Sequence, residues 1–151
     1  MARAYSLFVV EDPLEEDDFE GHAEVIRRLG GTLMIGDDLF VTNLARLLRG
    51  VALDAANAML LKSNMLGTIT EAMDAARYAA AHGYRVVGPG RAGGSIDDPI
   101  PDIAAAVGAP LVKFGAPRTG ECLGKQNCLL RMEEEFGAAG RFAGQDLFHT
   151  A

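Results

Sequence analysis

Short apolar runs alternate with longer amphipathic stretches along the chain, and the apolar runs stop at charged residues or glycines. Leu7-Phe8-Val9-Val10 reads as a buried strand that ends at Glu11 and Asp12-Pro13. A helical stretch over 21–29 is closed by Gly30-Gly31. Leu33-Met34-Ile35 is a second strand, again ended by carboxylates, and 44–49 is a short helix. Ala58-Met59-Leu60-Leu61 is a third strand, with Lys62 at its end. The clearest helix covers 68–82. There Thr68 and Glu71 have the spacing of a capping box, and Ile69, Ala72, Met73, Ala76 and Ala80 recur at helical period. Arg85-Val86-Val87 is a fourth strand, followed by a loop rich in Gly and Pro. A helix over 102–107, the very short strand Leu111-Val112 and a long helix over 120–136 complete the pattern.

Alternating strands and helices imply parallel strands joined by crossover helices. The charged strand ends then gather on one rim, which is where a (β/α)₈ barrel places its chemistry. Five such units do not close eight strands. They would leave an open edge on each side, with unpaired backbone groups and an exposed core. A free-standing doubly wound sheet has the same periodicity, so the pattern leaves both architectures open. No linker or break in composition divides the 151 residues, and one domain over 1–151 is expected.

Composition narrows the partners. A net charge of -7 argues against a nucleic-acid or anionic-membrane surface. No apolar run reaches the ~18 residues that a membrane helix needs, and no basic, apolar and small-residue succession opens the chain. Cys122 and Cys128 fall in one predicted helix, separated by a rise of about 9 Å and on different faces, so they are poor disulfide partners. A reducing, cytoplasmic setting is expected. Much of the acid lies between Glu11 and Glu20 and reads as a solvated loop.

Two strand ends carry carboxylates about one βα repeat apart, Glu11 and Asp37. On adjacent strands they would present hard oxygen donors of the kind that suit Mg²⁺. Capping a loop or a helix N-terminus is the other role open to each. Lys62 follows one repeat later. A lysine beside a divalent cation has a lowered pKa and can act as a base; a salt-bridging lysine is the alternative. His22, His82 and His149 have no ligand spacing and are expected on surface helices or the tail.

Longer motifs surround these residues. They are Val10-Glu11-Asp12-Pro13, Gly36-Asp37-Asp38-Leu39-Phe40-Val41-Thr42-Asn43, and Leu60-Leu61-Lys62-Ser63-Asn64-Met65-Leu66-Gly67-Thr68. Lys113-Phe114-Gly115-Ala116-Pro117 and Lys125-Gln126-Asn127-Cys128-Leu129-Leu130-Arg131 follow. In order and spacing they resemble the second half of enolase, the phosphopyruvate hydratase family, over roughly 7–144. The resemblance implies a partial (β/α) TIM-type barrel corresponding to the family's last five strands. It implies Glu11 and Asp37 as Mg²⁺ ligands; Asp38 is expected to support them, since carboxylate ligands are commonly held from outside. It implies Lys62 as the base that removes a proton alpha to the substrate carboxylate, and Lys113 as the group that holds that carboxylate and its developing charge. Asn64, Asn127 and Arg131 belong to the resemblance as structural residues.

The chain departs from the family in two places. Lys113-Phe114-Gly115 stands where the family usually has Lys-Thr-Gly. After the fourth strand, enolases carry Ser-His-Arg-Ser-Gly-Glu-Thr-Glu-Asp-Thr. Here the loop reads Pro89-Gly90-Arg91-Ala92-Gly93-Gly94-Ser95-Ile96-Asp97-Asp98. Allowing one inserted residue near Ile96, Arg91 takes the arginine position, whose family role is to bind substrate phosphate. An ordinary exposed arginine is the alternative. Gly90 and Ala92 replace the flanking His and Ser, which points to an altered substrate, still a small anionic carboxylate.

The family's first three barrel strands, its N-terminal domain, a third metal ligand and the acid-side glutamates have no counterpart in the chain. Three readings follow. The chain is the C-terminal half of a split, Mg²⁺-dependent, enolase-like lyase whose second protein chain supplies the N-terminal half. Or it is a non-catalytic interaction module derived from enolase. Or it self-associates as a homo-oligomer with its own chemistry.

Overall fold

The computed structural model describes residues 5, 7–62, 68–88, 94–144 and 147. Strands and helices alternate: β1 (Val9–Glu11), α1 (Phe19–Leu29), β2 (Leu33–Gly36), α2 (Leu44–Leu53), β3 (Ala58–Leu60), α3 (Ile69–Ala81), β4 (Arg85–Gly88), α4 (Ile100–Ala106), β5 (Leu111–Val112) and α5 (Gly120–Phe136). The five strands form one sheet in the order β1-β2-β3-β4-β5, and every neighbouring pair is parallel. A sequential order of this kind excludes the doubly wound alternative, in which the order reverses at a switch point.

The sheet is curled. β1 and β5 stand at its opposite edges, yet Lys113, just beyond β5, reaches Glu11 at the end of β1 over 2.7 Å. The result is a half-barrel with two apolar layers. Met34, Met59 and Val86 face outward and pack with helix residues such as Phe19, Leu47, Ala72 and Ala76. Leu33, Ile35, Ala58, Leu60 and Val87 face inward, with Val9 and Leu111 against them. Burial on both faces is why the strands read as unbroken apolar runs rather than alternating ones. It also corrects the expectation of an exposed core, because curvature lets the inner residues cover one another. None of those five exceeds 9% exposure.

Local signals explain most element boundaries. Thr68 accepts from Glu71 N, and the Glu71 carboxylate accepts from Thr68 N, so the capping box forms. Asp18 caps α1 by accepting from Gly21 N, and Asn43 caps α2 by accepting from Ala45 N and Arg46 N. These caps start α1 earlier than apolar periodicity alone suggests. The first strand shifts the other way. Leu7 and Phe8 lie outside it, Phe8 at 60% exposure, while Glu11 is inside it and pairs with Ile35. His82 is exposed as expected, whereas His149 lies outside the described residues. His22 is a correction: it is fully buried, and its Nδ1 lies 2.9 Å from Asp18 O. It falls on the inward stripe of α1 with Phe19, Ala23 and Ile26, and position outweighs polarity there.

One side chain ties the loop after β2 to this framework. The Phe40 ring is fully buried between Gly36 and Gly50. A Cβ on Gly50 would come within 2.3 Å of Phe40 Cε1, and one on Gly36 within 2.5 Å of Phe40 Cδ2. Gly50→Ala is therefore expected to destabilise the fold, although alanine favours a helix by about 1 kcal/mol. Overpacking costs ~1–3 kcal/mol, so urea unfolding should show a net loss of about 1 kcal/mol. A gain in stability would mean that Phe40 is not confined by Gly50.

Candidate functional site

Because all strands run the same way, their C-terminal ends meet on one rim. Glu11 closes β1, Asp37 and Asp38 follow β2, Lys62 follows β3 by two residues, and Lys113 follows β5 directly. These side chains converge. Lys113 Nζ donates to both oxygens of Glu11, at 2.7 and 2.8 Å, and lies 3.5 Å from Asp37 Oδ2. Lys62 Nζ pairs with Asp37 Oδ1 and, at 2.6 Å, with Asp38 Oδ1. Asp37 thus joins the two lysines. Its side chain is 13% exposed and that of Lys62 12%, against 44% for Lys113.

The Lys113 ammonium occupies a point to which two carboxylates from adjacent strands are aimed. That is a cation-accepting geometry made of hard oxygen donors. Asp37 Oδ1 adds to it: the atom is buried, and the Lys62 ammonium is the contact it makes.

The pKa of Lys62 is set by burial and by its two carboxylate partners. Burial is the largest single influence and pulls the value down. Hydrogen bonds and charge from Asp37 and Asp38 together outweigh it, and the ammonium is held above the ordinary lysine range. In this arrangement Lys62 is a protonated group.

Two residues that sequence reasoning passed over hold the cluster in place. Asp12, at φ 36°, turns its carboxylate across to β2, where Oδ1 accepts from Asp37 N at 3.0 Å and Oδ2 from Asp38 N at 2.6 Å. Thr42 is fully buried, and its hydroxyl accepts from Lys62 N at 2.6 Å and donates to Leu60 O at 3.1 Å. Val41 and Thr42 both have left-handed backbone, at φ 49° and 56°. For β-branched residues such geometry costs on the order of 1–3 kcal/mol each. The Asp-Pro step was a readable turn signal for Asp12. Nothing in the local sequence marks Thr42, whose role comes from contact with another strand.

Arg91 lies outside the described residues, as does Asn64, and neither can be placed in this geometry. No helix among the described residues is long and apolar enough to cross a membrane.

Comparison with known proteins agrees with the fold. The family model for the enolase C-terminal TIM barrel domain matches residues 1–151. An enolase of Methanococcus aeolicus is 47% identical over 143 residues, covering 95% of this chain and 33% of the relative. An enolase of Methanosarcina barkeri is 44% identical, covering 94% of this chain and 33% of the relative. One of Methanothrix thermoacetophila is 40% identical, covering 96% and 34%. The chain spans about a third of the length of the curated relatives it matches, and matches their C-terminal part.

The bracing by Asp12 has a measurable consequence. Asp12→Ala removes the acceptors of two backbone N–H groups and is expected to cost about 1–3 kcal/mol. Asp12→Asn, which tolerates left-handed backbone and retains one acceptor, should cost less. Equal urea midpoints for wild type and Asp12→Ala would show that the bracing contributes nothing.

Proposed function

The chain belongs to the enolase C-terminal TIM barrel domain family, and from that premise we propose that it supplies the C-terminal strands of an enolase-like, Mg²⁺-dependent lyase site. The reaction is abstraction of a proton alpha to a carboxylate. The observation that carries this reading is the convergence of Glu11, Asp37, Lys62 and Lys113 on one rim.

The donor set suits the metal. Glu11 and Asp37 would hold Mg²⁺, and two carboxylates are the protein share that this ion ordinarily takes, the remainder being water and substrate oxygens. When bound, the ion supplies positive charge against the oxygens of a substrate carboxylate. Lys113, released from Glu11, offers its ammonium to the same carboxylate and to the charge that grows on it as the alpha proton leaves. Lys62 takes that proton at Nζ while the carbon–hydrogen electron pair moves into the carboxylate system. To do so it must first exist as the free amine. Its ammonium is held by Asp37 and Asp38, and engaging Asp37 elsewhere weakens that hold.

The remaining strands of the barrel are part of this proposal. They come from a further stretch of the same polypeptide, from a second chain supplying the N-terminal half, or from another copy of this chain in a homo-oligomer. The relatives' threefold greater length supports the need for them. The substrate class is proposed from sequence alone. Arg91 is retained for an anionic group, while Gly90 and Ala92 replace side chains that enolases present, so a phospho- or phosphono-carboxylate other than 2-phosphoglycerate is favoured. A non-catalytic, enolase-derived binding module is the competing reading, and those same two replacements speak for it.

In the assembled protein, Lys62→Ala should slow exchange of the alpha proton with deuterated solvent by about 10²–10⁴-fold. Binding of the carboxylate should change far less. If no Mg²⁺-dependent exchange appears for wild type with any small phospho- or phosphono-carboxylate, the binding-module reading replaces the lyase.

Titration calorimetry tests the metal assignment separately. Glu11→Gln should weaken Mg²⁺ binding at least tenfold, on the scale of losing a charged ligand. Identical Mg²⁺ affinity for both proteins would remove Glu11 from the ligand set.

A further inference from the structure

The loop after β2 touches Lys62 at both ends of the residue. At one end, Asp37 and Asp38 receive the ammonium. At the other, the Thr42 hydroxyl accepts from the Lys62 backbone N–H at 2.6 Å. The same hydroxyl donates to Leu60 O at 3.1 Å, so its two bonds bracket Leu61. Leu61 N in turn donates to Val87 O at 3.0 Å, which fastens the strand end to β4 from the other side. The segment between Asp37 and Thr42 is short and pinned. Val41 N donates to Asp37 O at 2.8 Å, Asn43 N donates to Phe40 O at 2.7 Å, and the Phe40 ring is fully buried. A closed circuit results: Asp37, the pinned turn, the Thr42 hydroxyl, the Lys62 backbone, the Lys62 side chain and Asp37 again.

We infer that Thr42 is a positioning residue for Lys62: its hydroxyl fixes the point from which the lysine side chain starts, in register with the carboxylate that receives it. The left-handed backbone at Val41 and Thr42, at φ 49° and 56°, turns the hydroxyl inward onto β3 where an extended chain would carry it past. A threonine here has two partners, one donor and one acceptor, and a valine of nearly the same shape satisfies neither. Thr42 touches no reacting atom. It acts through Lys62, so its catalytic meaning rests on the reading of Lys62 as the base, while its structural meaning does not.

Two measurements on Thr42→Val and Thr42→Ser in the full protein separate these. The first is amide hydrogen exchange. The Lys62 amide should be protected in wild type and in Thr42→Ser, and should lose protection at least tenfold in Thr42→Val. The Leu61 amide, bonded to β4, should keep its protection in all three. Unchanged protection of Lys62 in Thr42→Val, or equal loss at Leu61 and Lys62, overturns the inference, the second because it would show general loosening of the strand end.

The second measurement is a cycle with Lys62→Ala, read as alpha-proton exchange. Thr42→Val should slow exchange about ten- to a hundredfold in the wild-type background, the scale of a small misplacement. It should add no further loss in Lys62→Ala. Equal loss in both backgrounds overturns a role exerted through Lys62. If instead Lys62→Ala leaves exchange unchanged, it is the base assignment that fails, and amide exchange alone decides whether Thr42 holds Lys62.

Discussion

Carboxylates gathered on one rim repel one another, and the two lysines of the rim make their gathering possible. Like charges 4 Å apart repel by ~1 kcal/mol in water and by about 4 kcal/mol at an effective dielectric near 20. Glu11, Asp12, Asp37 and Asp38 all sit at the ends of β1 and β2, and the parallel register that aligns those ends leaves them no room to disperse. Lys113 meets Glu11 and Asp37, Lys62 meets Asp37 and Asp38, and backbone N–H groups take up Asp12. The Lys113–Glu11 contact also crosses from one edge of the sheet to the other. The charge arrangement and the curl of the half-barrel are therefore one feature.

Holding the charges requires a stiff frame, and the chain builds it around the turn after β2. Gly36 and Gly50 leave the space that a Cβ would take, and the Phe40 ring fills it. Once Phe40 is seated, Asp37 and Asp38 on one side and Val41 and Thr42 on the other have little freedom. The left-handed backbone at Val41 and Thr42 is retained because buried aromatic packing and the Thr42 hydrogen bonds outweigh its cost. Phe40 also packs beside Phe19 and Tyr84, with ring centroids 6.5 and 6.0 Å away. Packing in the outer layer thus fixes the positions of charges on the rim.

Much of this was legible in the sequence, and the exceptions have physical causes. The three middle strands were legible because burial on both faces makes most of each an apolar run. The helix beginning at Ile69 was legible because its capping box is local. Glu11, Asp37, Lys62 and Lys113 were legible as strand-end residues, and the motifs around them pointed to one family. The start of β1 was misplaced because Leu7 and Phe8 are as apolar as Val9 and Val10, and only pairing with Leu33 and Ile35 sets the register. His22 is buried because it shares the inward stripe of α1 with Phe19 and Ala23, which the absence of ligand spacing does not reveal. Asp12 and Thr42 were missed for a common reason. Each acts on a neighbouring strand: the Asp-Pro step marks a turn at Asp12, but the pairing itself, between residues distant in sequence, leaves no mark on local pattern. The inner face of the sheet was expected to be exposed because strand counting ignores curvature.

The arrangement around Lys62 sets opposing demands on one side chain. Seclusion from water disfavours its charge, yet Asp37 and Asp38 keep it charged. A base must accept a proton, and an ammonium held by two carboxylates has none of the required electron pair to offer. In the proposed chemistry the conflict is resolved at Asp37, which faces both lysines. Engaging its charge elsewhere leaves Lys62 with burial still acting against its proton and only Asp38, itself 62% exposed at the side chain, acting for it. Solvent screens an exposed carboxylate far more than a buried one. The difference in exposure between Asp37 and Asp38 therefore matters more than their number. Were both as open as Asp38, the lysine would respond weakly to either. Because Asp37 also meets Lys113, which in turn meets Glu11, the proposed chemistry ties the proton affinity of Lys62 to the cation held between the Glu11 and Asp37 carboxylates.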